Sequence, residues 1–223
     1  MILTYVAVLG LVVGLSGCER PRANPPASAR NPTPSLEQPS VVFLGTSLTA
    51  GLGLDPEQAY PALIQQKIDS AGLGYRVVNA GVSGETSAGA LRRVDWVFQQ
   101  PVSVLVVETG ANDGLRGLPP DSLRANIQAI FDRAKSLRPP PKLVLLGMRV
   151  PPNYGRTYSE QFQSLYPELA RANNAALVPF LLQDVGGIAS LNQPDGVHPT
   201  AEGQRKMAET VWQVLELVLK RKA

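Results

Sequence analysis

From Ser40 to the C-terminus, short apolar runs alternate with segments of helical period, and this alternation leaves few architectures open. The runs are VVFL at 41–44, YRVVN at 75–79, VSVLVVE at 102–108, KLVLLG at 142–147 and ALVPF at 176–180. Their interiors read as apolar on both faces, as strands do when a sheet is covered on both sides. Between them, Leu123, Ile127, Ile130, Phe131 and Ala134 form one stripe of an amphipathic helix. Tyr60, Leu63, Ile64 and Ile68 repeat that spacing earlier, and Met207, Val211, Val214, Leu215 and Val218 repeat it in the last helix. The simplest use of all three stripes is core packing. Strands alternating with helices predict a parallel sheet. Five of them predict an α/β, doubly wound, flavodoxin-like five-stranded sheet with ligands beyond the carboxyl ends of the strands. With 223 residues, 44% of them apolar, the chain holds one substantial core and so one domain, residues 40–223.

The first 39 residues follow different rules. MILTYVAVLGLVVGLSGC has no charged side chain and ends in small residues, as the hydrophobic region of a secretory signal does. Leu15, Ser16, Gly17 and Cys18 resemble the bacterial lipobox, which implies a signal peptide over 1–18 with Cys18 lipidated. Cys18 is the only cysteine, so no intramolecular disulfide is available to explain it. An uncleaved anchor and a buried structural thiol stand as alternatives, the first weakened because a bilayer needs about 20 apolar residues. Residues 19–39 are proline-rich, with almost no large apolar side chain, and read as an extended linker. The expected location is the bacterial cell envelope, lipid-anchored and facing the periplasm or exterior.

The strand ends carry the chemistry. After the first run comes GTSLTAG, after the second AGVSGETSAG, after the third TGANDGLRG, and QPDGVHP at 193–199 precedes the last helix. A serine hydroxyl needs a base within hydrogen-bond reach, commonly a histidine oriented by a carboxylate. His198 is the only histidine, so histidine-dependent catalysis has one candidate base, and Asp195 is close enough in sequence to hold its other ring nitrogen. A turn histidine beside proline and a Ser47 that merely caps the next helix are the bland alternatives. The GxSxG elbow of α/β hydrolases does not fit, since Thr49 stands two residues after Ser47. Acyl transfer also requires donors for an oxyanion; Gly84 can present its N–H and Asn112 its side-chain amide.

Ser47, Gly84, Asn112 and His198 lie in chain order on successive loops, and GTSLTAG, NAGVSGETSAG, GANDGLRG and DGVHP resemble the four blocks of the SGNH, or GDSL-like, hydrolase superfamily. GANDGLRG and PPNYG at 151–155 look most like its bacterial thioesterase I, lysophospholipase and arylesterase branch. The resemblance covers residues 40–220 and implies a three-layer α/β/α sandwich. It implies a catalytic Ser47, His198 and Asp195, with an oxyanion hole from the Ser47 and Gly84 N–H groups and the Asn112 side chain, and neither metal nor cofactor. It departs at one position: the family's first block has Asp where this chain has Thr46, so any role for a carboxylate there is lost or moved. Glu108 reads as a partnered structural carboxylate, Asp113 as a support for the Asn112 turn and Arg116 as part of the rim. The resemblance suggests that Arg149 and Tyr154 shape a pocket.

A net charge of +3 and few, scattered aromatic residues give no basic groove or stacking platform, so no nucleic-acid partner is expected. The expected activity is hydrolysis of carboxylic esters, whether aryl esters, thioesters or lysophospholipids, by a monomer. A small-molecule or lipid ester is the expected partner, with membrane contact through Cys18. The alternatives are a carbohydrate O-deacetylase using the same residues and a non-catalytic envelope lipoprotein.

Overall fold

The structure is a computed structural model that describes residues 38–221; the signal segment, Cys18 and nearly all of the linker lie outside the described residues. In chain order the elements are β1 (Ser40–Gly45), α1 (Ser47–Ala50), α2 (Tyr60–Ser70), β2 (Arg76–Gly81), α3 (Ser87–Val97), β3 (Val104–Glu108), α4 (Ala111–Leu115), α5 (Pro120–Ser136), β4 (Lys142–Leu146), α6 (Arg156–Asn173), β5 (Ala176–Val178) and α7 (Ala201–Lys220). All five strands pair in parallel, in the order β2-β1-β3-β4-β5. That is the flavodoxin-like order, and α2 and α7 pack together against the sheet while α3, α5 and α6 form a second set. The result is a three-layer α/β/α sandwich.

The core forms where the sequence predicts it in the central strands. Residues 41–44 of β1 and all of β3 are buried, and four of the five residues of β4. The five-residue stripe of α5 is buried throughout. The outer strands depart from the expectation of apolar burial on both faces. β2 is exposed or half-buried along its length and β5 is only three residues long, because each has one neighbour and an edge open to solvent. Val214 and Leu63 are likewise only half-buried, at the flanks of their stripes.

Topology then places the site. The chain leaves β1 for β2 on one side and crosses to β3 on the other, so the order reverses between β1 and β3. Ligands bind beyond the strand ends at such a reversal. The segments that start there are α1, with Ser47 at its first position, and α4, with Asn112 in its first turn.

Candidate active site

β1 runs into α1 with no intervening loop. Thr46 is the N-cap and Ser47 the first helical residue, so Ser47 is not itself the cap. Backbone N–H groups of a first turn have no intrahelical acceptor, which leaves the Ser47 N–H available to a ligand. Thr46 donates its own N–H to Glu108 Oε2 at 2.7 Å, and its Oγ1 lies 3.1 and 2.9 Å from the two carboxylate oxygens. Thr49 Oγ1 donates to Oε2 at 2.9 Å and meets the Tyr60 hydroxyl at 2.8 Å. Glu108 is 1% exposed; burial pushes its carboxyl up, and the hydrogen bonds from Thr46 and Thr49 oppose that shift. The strand end can sit this close to Thr49 only because Gly45 has no Cβ, which would collide with Thr49 Oγ1. The carboxylate absent at position 46 is thus replaced by a threonine that bonds one on the neighbouring strand.

His198 reaches Ser47 from 151 residues away. Its Nε2 lies 2.9 Å from Ser47 Oγ, and its Nδ1 lies 2.7 Å from Asp195 Oδ2. Asp195 Oδ1 also accepts the N–H groups of His198, at 3.0 Å, and Val197, at 2.9 Å. Hydrogen bonds from the His198 backbone and ring, then from the Val197 backbone, hold the Asp195 carboxyl at about 2. An ionised carboxylate only accepts, so the Nδ1 proton points to Asp195 and the Nε2 lone pair faces the serine. The turn is pinned by Gln193, which donates through Nε2 to the carbonyls of Leu52 at 2.7 Å and Pro199 at 3.0 Å.

Asn112 stands on α4 beside the serine. One N–H of its side chain holds the Glu85 carbonyl at 3.0 Å, which leaves the second for a substrate. Asp113 is buried and accepts the Ser87 N–H at 2.9 Å and the Ser87 hydroxyl at 2.5 Å, tying α4 to the start of α3. Gly84 has φ +77°, a conformation that favours glycine, and its carbonyl accepts from Arg116 Nη2 at 3.0 Å. Ser47, Asn112 and His198 line one cavity of about 420 Å³, whereas Gly84 lines the neighbouring cleft.

The cavity is mainly apolar, with Leu48, Leu115, Met148, Val150, Phe180 and Leu182 in its wall. Arg149 also lines it and sits 4.6 Å from the centroid of the Phe180 ring, a cation–π contact. Tyr154 does not line the cavity; its hydroxyl donates to the Leu115 carbonyl at 2.8 Å and braces that wall. Met148, Val150 and Leu182 went unread in the sequence and Phe180 was read only as part of the fifth apolar run, although MRVPP and LL follow the fourth and fifth runs as GTSLTAG follows the first. Among the described residues no group of three or more His, Cys, Asp and Glu side chains converges as a metal site would require.

A family model for the GDSL-like lipase/acylhydrolase family matches residues 43–206. The chain belongs to that family. It is 40% identical over 181 residues to the esterase TesA of Pseudomonas aeruginosa, covering 81% of this chain and 89% of that one. A solved structure of TesA superposes with a TM-score of 0.76, over 80% of this chain and 99% of the other. The arylesterase of Vibrio mimicus is 36% identical over 176 residues, 78% of this chain and 87% of its own. The thioesterase 1/protease 1/lysophospholipase L1 of Escherichia coli is 37% identical over 180 residues, 80% and 83% of the two chains. With relatives of this kind at 36–40% identity, the chain is a carboxylic ester hydrolase.

Proposed function

We propose that the enzyme cleaves esters by acyl transfer to Ser47, with His198 as base, Asp195 as its orienting carboxylate, and an oxyanion hole from the Ser47 N–H, the Gly84 N–H and the Asn112 side chain. The observation that carries this reading is the His198 bridge, 2.9 Å to Ser47 Oγ on one side and 2.7 Å to Asp195 on the other. In the first step Oγ bonds to the acyl carbon, its proton passes to Nε2, and the carbonyl oxygen takes the negative charge. Collapse expels the alcohol or thiol, which receives the proton from Nε2. Water then enters by the same route in reverse and releases the acid.

The apolar wall around Ser47 supports an acyl chain longer than acetyl, and so aryl esters, thioesters or lysophospholipids ahead of sugar acetates. We further propose that the protein is an envelope lipoprotein held through Cys18, acts as a monomer, and meets its lipid or small-molecule esters at the membrane. The test is hydrolysis of a chain-length series of p-nitrophenyl esters by the full chain beside Ser47→Ala. Medium-chain activity that vanishes in the variant is expected. A folded Ser47→Ala that retains turnover would sink the mechanism.

A further inference from the structure

Beside the apolar cavity lies a cleft of about 430 Å³ with the opposite character. Arg92, Arg93 and Arg116 line it together with Gly84 and Glu85. Glu85 is fully engaged by one of them: its carboxylate accepts Arg93 Nε at 2.8 and 2.9 Å and Nη2 at 2.7 Å. Arg93 Nη2 also holds the Ala80 carbonyl at 2.8 Å, so this pair is a brace between the second strand end and α3. Arg92 and Arg116 are exposed, and neither takes part in an ion pair among the described residues. The other acids of α3 and α4 are committed elsewhere, Asp113 to Ser87 and Asp95 to Arg133 at 3.2 Å. Arg116 gives one N–H to the Gly84 carbonyl and keeps the rest of its donors. The cleft therefore carries two cations that make no ion pair among the described residues.

Gly84 connects this cleft to the reacting centre, because Asn112 holds the carbonyl of the next residue, Glu85, while Arg116 holds that of Gly84. A substrate whose acyl chain fills the apolar cavity must direct its alcohol or thiol half elsewhere, and the arginine cleft opens beside the reacting carbonyl. Guanidinium groups match phosphate in geometry and charge. We propose that Arg92 and Arg116 form a subsite for a phosphate on the leaving half of the substrate, whether the glycerophosphate of a lysophospholipid or the phosphates of a coenzyme A thioester. The inference rests on Ser47 as the reacting centre.

The diagnostic residue is Arg92, since Arg116 also positions Gly84. With the full chain, kcat/KM is measured on 1-acylglycerol 3-phosphate, acyl-coenzyme A and 1-monoacylglycerol of one acyl length, each below its micellar concentration. Arg92→Ala is expected to lower the ratio of phosphate-bearing to neutral substrate by about tenfold, chiefly through KM, with Arg92→Lys retaining most of it. Added salt should erode the wild-type ratio more steeply than that of the variant, which keeps only Arg116. A loss confined to the glycerophosphate assigns the subsite to lipid headgroups, and one confined to the thioester assigns it to the thiol carrier. An active enzyme whose ratio ignores Arg92 overturns the subsite alone. A folded wild type inactive on all three substrates and on p-nitrophenyl esters takes down the Ser47 reading with it.

Discussion

Asp195 is held at about 2 while half of its side chain meets solvent, so at neutral pH it can only accept. Its folded-state value lies below the ordinary 3.8, so its contribution to stability is complete above about pH 4 and is lost as pH falls toward about 2. Asp195→Asn should therefore flatten the pH dependence of urea unfolding across that window. The same variant should lower kcat by roughly 10³–10⁴ at neutral pH, because a carboxamide does not enforce the Nδ1–H tautomer. Equal unfolding slopes in wild type and variant would remove Asp195 from this role. Asn112→Ala should cost about 10²–10³ in kcat, measured on a medium-chain p-nitrophenyl ester, with unfolding unchanged. Thr46 acts one layer further back. Thr46→Val keeps its shape but deprives buried Glu108 of the hydroxyl 2.9 Å away, and should lower stability by about 2 kcal/mol, while Thr46→Ser retains most of it. The serine, histidine, carboxylate and amide were legible as candidates because each lies within a recognisable block after an apolar run or before the last helix. The Thr46–Glu108 contact was not, since it joins two strand ends 62 residues apart and follows from their pairing distance alone.

Among the elements, α7 locks the Ser47 segment from behind. Gln204 is 1% exposed; its Oε1 accepts the Tyr60 N–H at 2.8 Å and its Nε2 donates to the Leu48 carbonyl at 3.2 Å. One side chain thus ties α7 to the starts of both α2 and α1. Gln204→Leu leaves a buried donor and a buried acceptor unpaired, which should lower the unfolding free energy by about 2–4 kcal/mol in a urea titration. Turnover should fall as well, since Leu48 follows Ser47 directly; unchanged kcat would show that α1 holds its place without α7. The order and type of the elements were legible because central strands and amphipathic helices carry strong periodicity. β3 begins at Val104, two residues later than its apolar run, and β5 ends at Val178 instead of Phe180. Strand length is set by the neighbour available for pairing, and β5 pairs only with β4 over Val144 to Leu146, so its apolar run outlasts the ladder. Phe180 is apolar for another reason: it walls the cavity under Arg149.

For the whole molecule, the family match begins at residue 43, so everything that assigns ester hydrolysis falls within the α/β/α domain and none of it bears on residues 1–39. The proposed anchor rests on the sequence alone, a lone cysteine after an uncharged apolar stretch and before a proline-rich tract. Among the described residues no helix is long and apolar enough to cross a membrane. One acyl chain binds a membrane only reversibly, whereas the multiply acylated cysteine of a lipoprotein is retained. Cys18→Ser should therefore move the enzyme from the membrane pellet to the soluble fraction after cell lysis. Because Cys18 lies outside the catalytic domain, kcat on a soluble short-chain ester should stay within about twofold of wild type, since no group that touches the substrate has changed. Activity on esters embedded in vesicles should fall much further, as the variant loses its concentration at the surface and not its chemistry. A Cys18→Ser protein that still sediments with membranes would refute lipidation as the anchor and return the apolar N-terminal stretch to the role of an uncleaved span.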